Sequence, residues 1–265
     1  MNRFSKRILT FYKHLVFMKK VGANLPSRLA LFFYFFIAMN FDTWFRNIQG
    51  KIKLIINGVK VEVVLRPQDY FIVYEVLGER VYEKLLSHPI LEGEVVLDIG
   101  AHIGMASLFF ATALPKAKIV SIEPSKENFN ILCHNLNQVR NVTIQVNAAL
   151  ASKSGEVDFF VSEYMQSNGS ILPDVRKLKT SVSSLSLDDL IDKYQPVCVK
   201  FDIEGGEEKI FESSTKFSIP QMWMGEIETN EARKILHKLF SSYHVYEEKR
   251  IGRFAYVLFS QKSIK

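Results

Sequence analysis

The chain has 265 residues, 48% of them apolar, which is enough for one large domain or for a domain with an appended segment. This composition excludes general disorder. Two isolated cysteines, Cys133 and Cys198, exclude a disulfide framework and a zinc site, and they favour a reducing, cytoplasmic setting.

The net charge of +6 is concentrated at the N-terminus. Residues 1–53 contain ten Lys and Arg side chains against one acid, Asp42, whereas the remaining residues have a net charge of −3. A nucleic-acid-binding core would carry its positive charge on the folded domain. The distribution therefore predicts no nucleic-acid partner, and it contains no signal for an oligomeric state.

Within the basic segment, which we predict to be a helical extension over residues 1–50, residues 29–39 form an unbroken apolar run. A membrane-spanning helix needs about 20 such residues, and no small-residue cleavage site of a signal peptide follows. Three interpretations remain open. The segment forms two helices packed on the main domain, or residues 1–45 dock on an anionic membrane surface, or the run spans a membrane.

A second segment, residues 51–90, combines a hairpin with a helical flap. Alternating apolar residues flank Asn57 and Gly58, a pattern that predicts two strands joined by a type I′ turn. Residues 66–86 have a mostly helical pattern. Asp69 and Tyr82 are candidate ligand contacts in this flap, although a structural role is the simpler interpretation of both.

From residue 91 to residue 265, strands alternate with helices, which predicts an α/β domain with a parallel sheet. The predicted strands are residues 95–98, 118–123, 141–147, 196–203 and 222–227, and the predicted helices are residues 103–113, 126–136, 207–211 and 231–240. Residues 149–186 are predicted to be an insertion with a turn-rich loop at 167–175. Two last strands, joined by a tight turn at residues 251–253, predict an antiparallel edge hairpin.

Gly100 and Gly104 follow the first of these strands directly and precede a helix. Glycine lets backbone approach a ligand closely and adopts positive φ angles. A dinucleotide-binding fingerprint has glycines two and five positions after the first one, whereas these are four apart and Asp98 precedes the turn. The spacing therefore favours S-adenosylmethionine as the cofactor.

The sequence resembles the FkbM family of S-adenosylmethionine-dependent methyltransferases. The resemblance covers about residues 66–228 and rests on VVLDIGAHIG (95–104), SIEP (121–124), NAAL (147–150), LSLDDL (185–190) and VKFDIEGGEEKIF (199–211). It implies a Rossmann-like class I methyltransferase fold, whose seven-stranded sheet is mostly parallel. It also implies methyl transfer, most often to a hydroxyl oxygen.

By the same resemblance, eight residues of the first three motifs are predicted to bind the cofactor: Asp98, Gly100, Ala101, His102, Gly104, Glu123, Pro124 and Asn147. Asp98, Gly100 and Gly104 would line the methionine part of the cofactor and the side of the cofactor that contacts the protein backbone. Glu123 would accept hydrogen bonds from both ribose hydroxyls, since a carboxylate can accept from two donors at once. The commonest family form has Asn at position 102, so His102 departs from it.

Lys200, Asp202 and Glu204 are the predicted catalytic residues. They alternate in an extended segment, so all three point to one side at the end of a buried strand, where charges are costly unless paired or used. We predict that Asp202 is the base or orients the acceptor and that Glu204 is a second acceptor contact. Lys200 would pair with Asp202 and lower the pKa of its carboxyl group. The alternative is a salt-bridge network that braces the strand end.

Two acids of the next strand, Glu226 and Glu228, would complete an oxygen-rich cluster with Asp202 that suits magnesium, but a site without metal is the simpler expectation. The sequence thus predicts an O-methyltransferase whose acceptor is a small molecule or glycan, such as a sugar or a secondary metabolite. N-methylation remains open, as does a cofactor-binding or membrane-associated protein without catalysis.

Overall fold

The structure is a computed structural model. It describes residues 3–40, 45, 48–87, 92–161, 169–172, 178–203, 206–251 and 254–262. The contacts within the chain divide it into two compact units, Met1–Arg80 and Val81–Lys265.

Two helices begin the first unit. Helix α1 spans Arg3–Val21 and helix α2 spans Leu25–Asn40. They pack side by side, with the ring centroids of Phe11 and Phe35 6.2 Å apart. The buried residues of the two helices are His14, Phe17, Met18, Val21, Ser27, Leu31, Tyr34 and Phe35. No helix among the described residues combines the length and the hydropathy that crossing a membrane requires.

A hairpin follows, formed by β1 (Gly50–Ile56) and β2 (Val59–Leu65). Asn57 and Gly58 both have positive φ angles, 47° and 82°, which confirms the predicted type I′ turn. The first unit then continues through a 3-10 turn, α3 and a π-helical turn, at Pro67–Asp69, Tyr70–Val73 and Tyr74–Glu79.

The buried ion pair of Arg66 and Asp69 holds the start of this helical segment. The Arg66 guanidinium donates to both carboxylate oxygens of Asp69, at 2.8 and 3.0 Å, and its backbone N–H donates to Oδ2 at 2.7 Å. Asp69 is fully buried. Its carboxylate therefore has a structural role, in agreement with the simpler interpretation of this residue.

The second unit opens with a 3-10 turn at Glu83–Ser87 and continues with strands and helices in alternation. Its strands are β3 (Val95–Ile99), β4 (Lys118–Ile122), β5 (Thr143–Val146), β6 (Ala149–Ala151), β7 (Gly155–Val161), β8 (Gly169–Ser170), β9 (Leu178–Ser186), β10 (Pro196–Phe201), β11 (Met222–Ile227), β12 (His244–Ile251) and β13 (Phe254–Ser260). Its helices are α4 (Met105–Ala113), α5 (Lys126–Leu136), α6 (Leu187–Tyr194), α7 (Glu207–Ser213) and α8 (Asn230–Leu239).

Within the described residues, seven of these strands form one sheet in the order β5, β4, β3, β10, β11, β13, β12. The five strands from β5 to β11 are parallel, and β13 is antiparallel to both of its neighbours. This arrangement confirms the predicted parallel sheet with an antiparallel C-terminal edge. Residues 252–253 of the predicted closing turn lie outside the described residues.

One face of the centre of this sheet is closely packed and apolar, as expected of a buried parallel sheet. Leu97 and Ile99 of β3, with Val199 and Phe201 of β10, are at most 1% exposed. Helix α4, which covers β3 and β4, is buried from Met105 to Ala111. The strand ends are therefore held in position by a packed core.

The predicted insertion folds as a separate sheet of four strands within the described residues, in the order β6, β9, β7, β8. Its main pairing is antiparallel, from Gly155 opposite Ser184 to Val161 opposite Leu178. Of the predicted loop at 167–175, the structure describes residues 169–172.

Candidate functional site

The site lies where β3, β4 and β10 end, at the centre of the sheet. The chain crosses from β3 to β4 on one side, and β10 lies on the other, so this is the point where the strand order reverses. Open parallel sheets bind ligands in the crevice at such a point. The register places Asp98 of β3 beside Ser121 of β4 and beside Lys200 of β10.

The glycine turn after β3 is held between the two neighbouring strands. The backbone N–H groups of Gly100 and Ala101 donate to the carbonyl of Ile122 at 3.0 and 2.9 Å. Gly100 has φ +73°, and a Cβ there would lie 1.7 Å from the Asp202 carbonyl oxygen. Only glycine fits this position. Gly104, with φ +86°, then caps α4.

His102, like Gly100 and Gly104 of the same turn, has a positive φ angle, +52°. Asn, Asp and His adopt this left-handed conformation more readily than other residues with a Cβ. The departure from Asn at this position therefore leaves the turn intact. The backbone N–H of His102 donates to Oε2 of Glu123 at 2.9 Å, which ties the turn to the end of β4.

Glu123 lies just past β4 and is 5% exposed. Besides the bond from His102, its Oε1 accepts from the backbone N–H of Ser125 at 2.9 Å and from the Asn128 amide at 3.4 Å. Burial raises the pKa of Glu123 to about 7, although these hydrogen bonds and Lys200 act in the opposite direction. Asn147 donates to the carbonyls of Glu123 and of the next residue, Pro124, at 2.8 and 2.9 Å.

A buried charge cluster lies behind the turn. The Lys200 ammonium is 3.0 Å from Oδ1 of Asp98 and donates to the carbonyls of Gly100 and Ile99, at 2.7 and 3.3 Å. It also lies 5.6 Å from the ring centroid of Tyr82. Burial alone would lower the pKa of Lys200, but the neighbouring carboxylates outweigh it and the pKa is raised. Lys200 thus connects the end of β10 with the glycine turn.

Asp98 is fully buried, so its carboxylate is used by protein groups. Besides the ion pair with Lys200, its Oδ2 accepts a hydrogen bond from the Ser107 hydroxyl at 2.6 Å. Ser107 has one proton, which goes to Asp98, so the Ser121 hydroxyl donates to Ser107 across their 2.7 Å contact. The predicted contact of Asp98 with the cofactor stays a prediction.

Sequence reasoning missed Ser107, Ser121 and Asn128. A signal existed for Ser107, because a serine in a helix that is apolar on every face needs a partner inside the protein. Its partner, Asp98, could be found only with the register of β3 against the helix. For Ser121 and Asn128 we find no signal in the sequence.

Asp202 follows the last residue of β10, and its side chain is 22% exposed. Its Oδ2 lies 3.9 Å from the Lys200 ammonium, whereas Oδ1 of Asp98 lies 3.0 Å from the same group. Lys200 lowers the pKa of Asp202 as expected, but it does not decide the net shift. Burial raises this pKa, Lys200 opposes the rise and Asp98 adds to it, and the net direction is upward.

The other predicted acids are Glu204, Glu226 and Glu228. Glu204 lies outside the described residues. The carboxylate of Glu226 accepts a hydrogen bond from the Tyr256 hydroxyl at 2.6 Å. In the part of the chain that the structure describes, no group of three His, Cys, Asp or Glu side chains could hold a metal ion.

The residues present fit S-adenosylmethionine on two observations. At Gly100 the turn passes so close to the Asp202 carbonyl oxygen that no side chain fits, which holds the backbone of the turn against the end of β10. At Glu123 two backbone N–H groups and the Asn128 amide occupy three of the about four acceptor sites of the carboxylate. Capacity for a ribose hydroxyl therefore remains at Glu123.

Strand order, glycine turn and acid at the end of β4 together define the class of S-adenosylmethionine-dependent methyltransferases with a class I fold. The model of the methyltransferase FkbM domain matches residues 98–247, more than half of the chain. The protein belongs to this family. The match begins at Asp98 and includes Glu123, Lys200 and Asp202.

Methyltransferase sdnD of Sordaria araneosa is 25% identical in an alignment of length 174, which covers 52% of this chain and 65% of that protein. The chain thus spans about two thirds of the length of this curated relative. Two solved structures are similar at lower identity. The precorrin-6y C5,15-methyltransferase of Geobacter metallireducens GS-15 is 14% identical, with a TM-score of 0.45 over 70% of this chain and 88% of that one. TYW2 of M. jannaschii, in complex with AdoMet, is 14% identical, with a TM-score of 0.45 over 81% and 86%.

Proposed function

We propose that this protein transfers the methyl group of S-adenosylmethionine to a hydroxyl oxygen of a small molecule or glycan. The observation that carries the proposal is Asp202. It is a partly exposed carboxylate at the end of the central strand β10, and its backbone touches the glycine turn. Its pKa is raised.

A raised pKa suits a general base. An alcohol must lose its proton as the new bond to carbon forms, and a base whose pKa lies nearer the working pH accepts that proton more readily. Bound S-adenosylmethionine supplies a methyl group that its positive sulfur already activates. The protein has only to align the acceptor oxygen, exclude water and accept the proton.

Each group of the site then has one task in this proposal. Asp202 holds the acceptor hydroxyl and takes its proton, and Glu204, outside the described residues, is a second acceptor contact. Glu123 binds the ribose. Lys200 and Asp98 neutralise each other behind the turn and keep Gly100 in place, since Lys200 donates to the Gly100 carbonyl. Both act as positioning residues.

The test is a screen of extract fractions for transfer of labelled methyl from S-adenosylmethionine, followed by mass spectrometry of the product. We expect an O-methylated product, and we expect Asp202→Asn to lose turnover while its affinity for S-adenosylhomocysteine is unchanged. Asp192→Asn is the matched control, because Asp192 is exposed and pairs with Lys216 on the surface. Equal turnover of Asp202→Asn and wild type would refute the base, and an N-methylated product would refute the choice of acceptor.

A cytoplasmic site of action is part of the proposal. Its support is that both cysteines are free thiols, with Cys198 buried in the core. Free thiols persist in reducing compartments, whereas oxidising ones favour disulfides.

A further inference from the structure

Helix α1 exposes an apolar face. Its buried residues, His14, Phe17, Met18 and Val21, recur at the spacing of one helical face. The opposite face is apolar as far as Val16, ends in Lys19 and lies in solvent. It carries Ile8, Tyr12, Leu15 and Val16, which are between 39% and 61% exposed.

Helix α2 repeats this arrangement. Leu31, Tyr34 and Phe35 face inward, and the outward stripe consists of Leu25, Leu29, Phe33, Phe36 and Met39. The spacing of four, four, three and three residues keeps this stripe on one side of the helix. Leu25 is 65% exposed and Phe33 is 59% exposed. A row of large exposed apolar side chains along one side of a helix marks an interaction site.

The charge of the two helices is of one sign. Residues 3–40 contain seven Lys and Arg side chains and no acid. The described lysines of α1, which are Lys13, Lys19 and Lys20, are exposed. On a helical wheel, Lys13 and Lys20 lie at the edge of the outward apolar face. A helix with an outward apolar face that contains aromatic residues and is bordered by lysines is typical of segments that lie in the interface of an anionic bilayer.

We propose that the outward faces of α1 and α2 dock on the surface of an anionic lipid bilayer, with the helices in the plane of the interface. A helix that spans a bilayer needs about 20 apolar residues. Helix α1 has 19 residues, several of which are lysines, and helix α2 has only 16 residues. Both helices therefore suit an orientation in the plane of the interface. The apolar side chains enter the acyl boundary. The lysines stay at the level of the lipid phosphates.

Charge decides between a bilayer and a second copy of the chain on this face. Two copies would bring two sets of seven positive charges together without any acid to pair with them, and like charges across an interface are repulsive. An anionic bilayer neutralises the same charges. The bilayer is therefore the occupant that the surface fits.

The experiment is co-sedimentation of the full chain with vesicles of phosphatidylcholine alone and of phosphatidylcholine mixed with phosphatidylserine. We expect binding to the mixed vesicles, much weaker binding to the neutral ones, and a loss of affinity as salt is raised. Each lysine near an anionic surface is worth about a fivefold gain in affinity. The pair Lys13→Gln and Lys20→Gln should therefore weaken binding to the mixed vesicles about thirtyfold.

Matched controls separate this surface from total charge and total hydrophobicity. Lys118→Gln with Lys153→Gln removes the same charge from exposed positions of the second unit and should leave binding unchanged. Leu29→Ser with Phe33→Ser should abolish sedimentation, whereas Val142→Ser with Ile219→Ser, also exposed, should not. Circular dichroism checks that each variant is folded.

Three results would overturn the proposal. The first is a full chain that does not sediment with the mixed vesicles. In the second, the control pairs weaken binding as much as the pairs on α1 and α2. The third is a dimer in sedimentation velocity that Leu29→Ser with Phe33→Ser dissociates, without any vesicle binding, because the face would then be covered by a second copy.

Discussion

Replacing Glu123 with Gln should change how the stability of the cofactor-free protein depends on pH. Burial raises the pKa of Glu123 from 4.5 to about 7 in the folded state. At low pH the carboxyl group is protonated in both the folded and the unfolded chain, so burial has no cost. As pH rises, the unfolded chain releases the proton first, and the folded state loses stability until the folded group has also titrated.

The size of this effect follows from the two pKa values. A difference of one pKa unit corresponds to about 1.4 kcal/mol, so a rise from 4.5 to about 7 corresponds to about 3 kcal/mol. The free energy of unfolding of the wild type should therefore fall by about 3 kcal/mol more than that of Glu123→Gln between about pH 4.5 and about pH 7. The Gln amide does not titrate, so the contributions of all other titratable groups cancel in the difference between the wild type and Glu123→Gln.

Urea denaturation of both proteins across this pH range, without cofactor, measures the difference directly. Glu127→Gln is the control for the loss of one negative charge, because Glu127 is exposed on the next helix. Parallel profiles for wild type and Glu123→Gln would refute the reasoning, since they would mean that Glu123 titrates alike in the folded and unfolded chains.

Two further substitutions test the positioning groups. Lys200→Met leaves the buried Asp98 carboxylate without its ion-pair partner and should lower the free energy of unfolding, measured by urea denaturation, by about 3–5 kcal/mol. Adding Asp98→Asn should restore part of the lost stability. Additive effects of the two substitutions would count against an ion pair between Lys200 and Asp98. Gly100→Ala places a Cβ 1.7 Å from the Asp202 carbonyl oxygen and should abolish binding of S-adenosylhomocysteine in calorimetry. Gly93→Ala is its control: the φ angle is similarly positive, +82°, but nothing lies within 4 Å, so the cost should be only about 1–2 kcal/mol and binding should survive.

Much of the fold follows from local sequence patterns. Helix α5 and strand β11 have the predicted bounds, because Ser125 caps the helix and four of the six residues of the strand are large and apolar. The turn at Asn57 and Gly58 was predictable because both residues tolerate positive φ angles.

The charges of the site were less predictable, since they depend on register. Lys200 was expected to pair with Asp202, two residues away. Its nearest carboxylate instead belongs to Asp98, which lies beside it on β3 and 102 positions earlier in the chain. A pattern along one strand cannot show which residue the next strand places opposite. The net direction of the Asp202 pKa was not predictable for the same reason, because burial and Asp98 outweigh the lowering effect of Lys200.

The orientation of α2 could not be read from its sequence either. Residues 29–39 are apolar on every side, so periodicity gives no inward face. The structure turns Leu31, Tyr34 and Phe35 inward and leaves Leu29 and Phe33 in solvent.

Titration calorimetry of S-adenosylhomocysteine into wild type and Glu123→Ala tests most directly that the ends of β3, β4 and β10 form the cofactor site. The wild type should bind, and Glu123→Ala should lose most of its affinity, because the buried acceptor for the ribose is gone while the core of the sheet is untouched. No binding by the wild type, or equal affinity of the two proteins, would contradict the account.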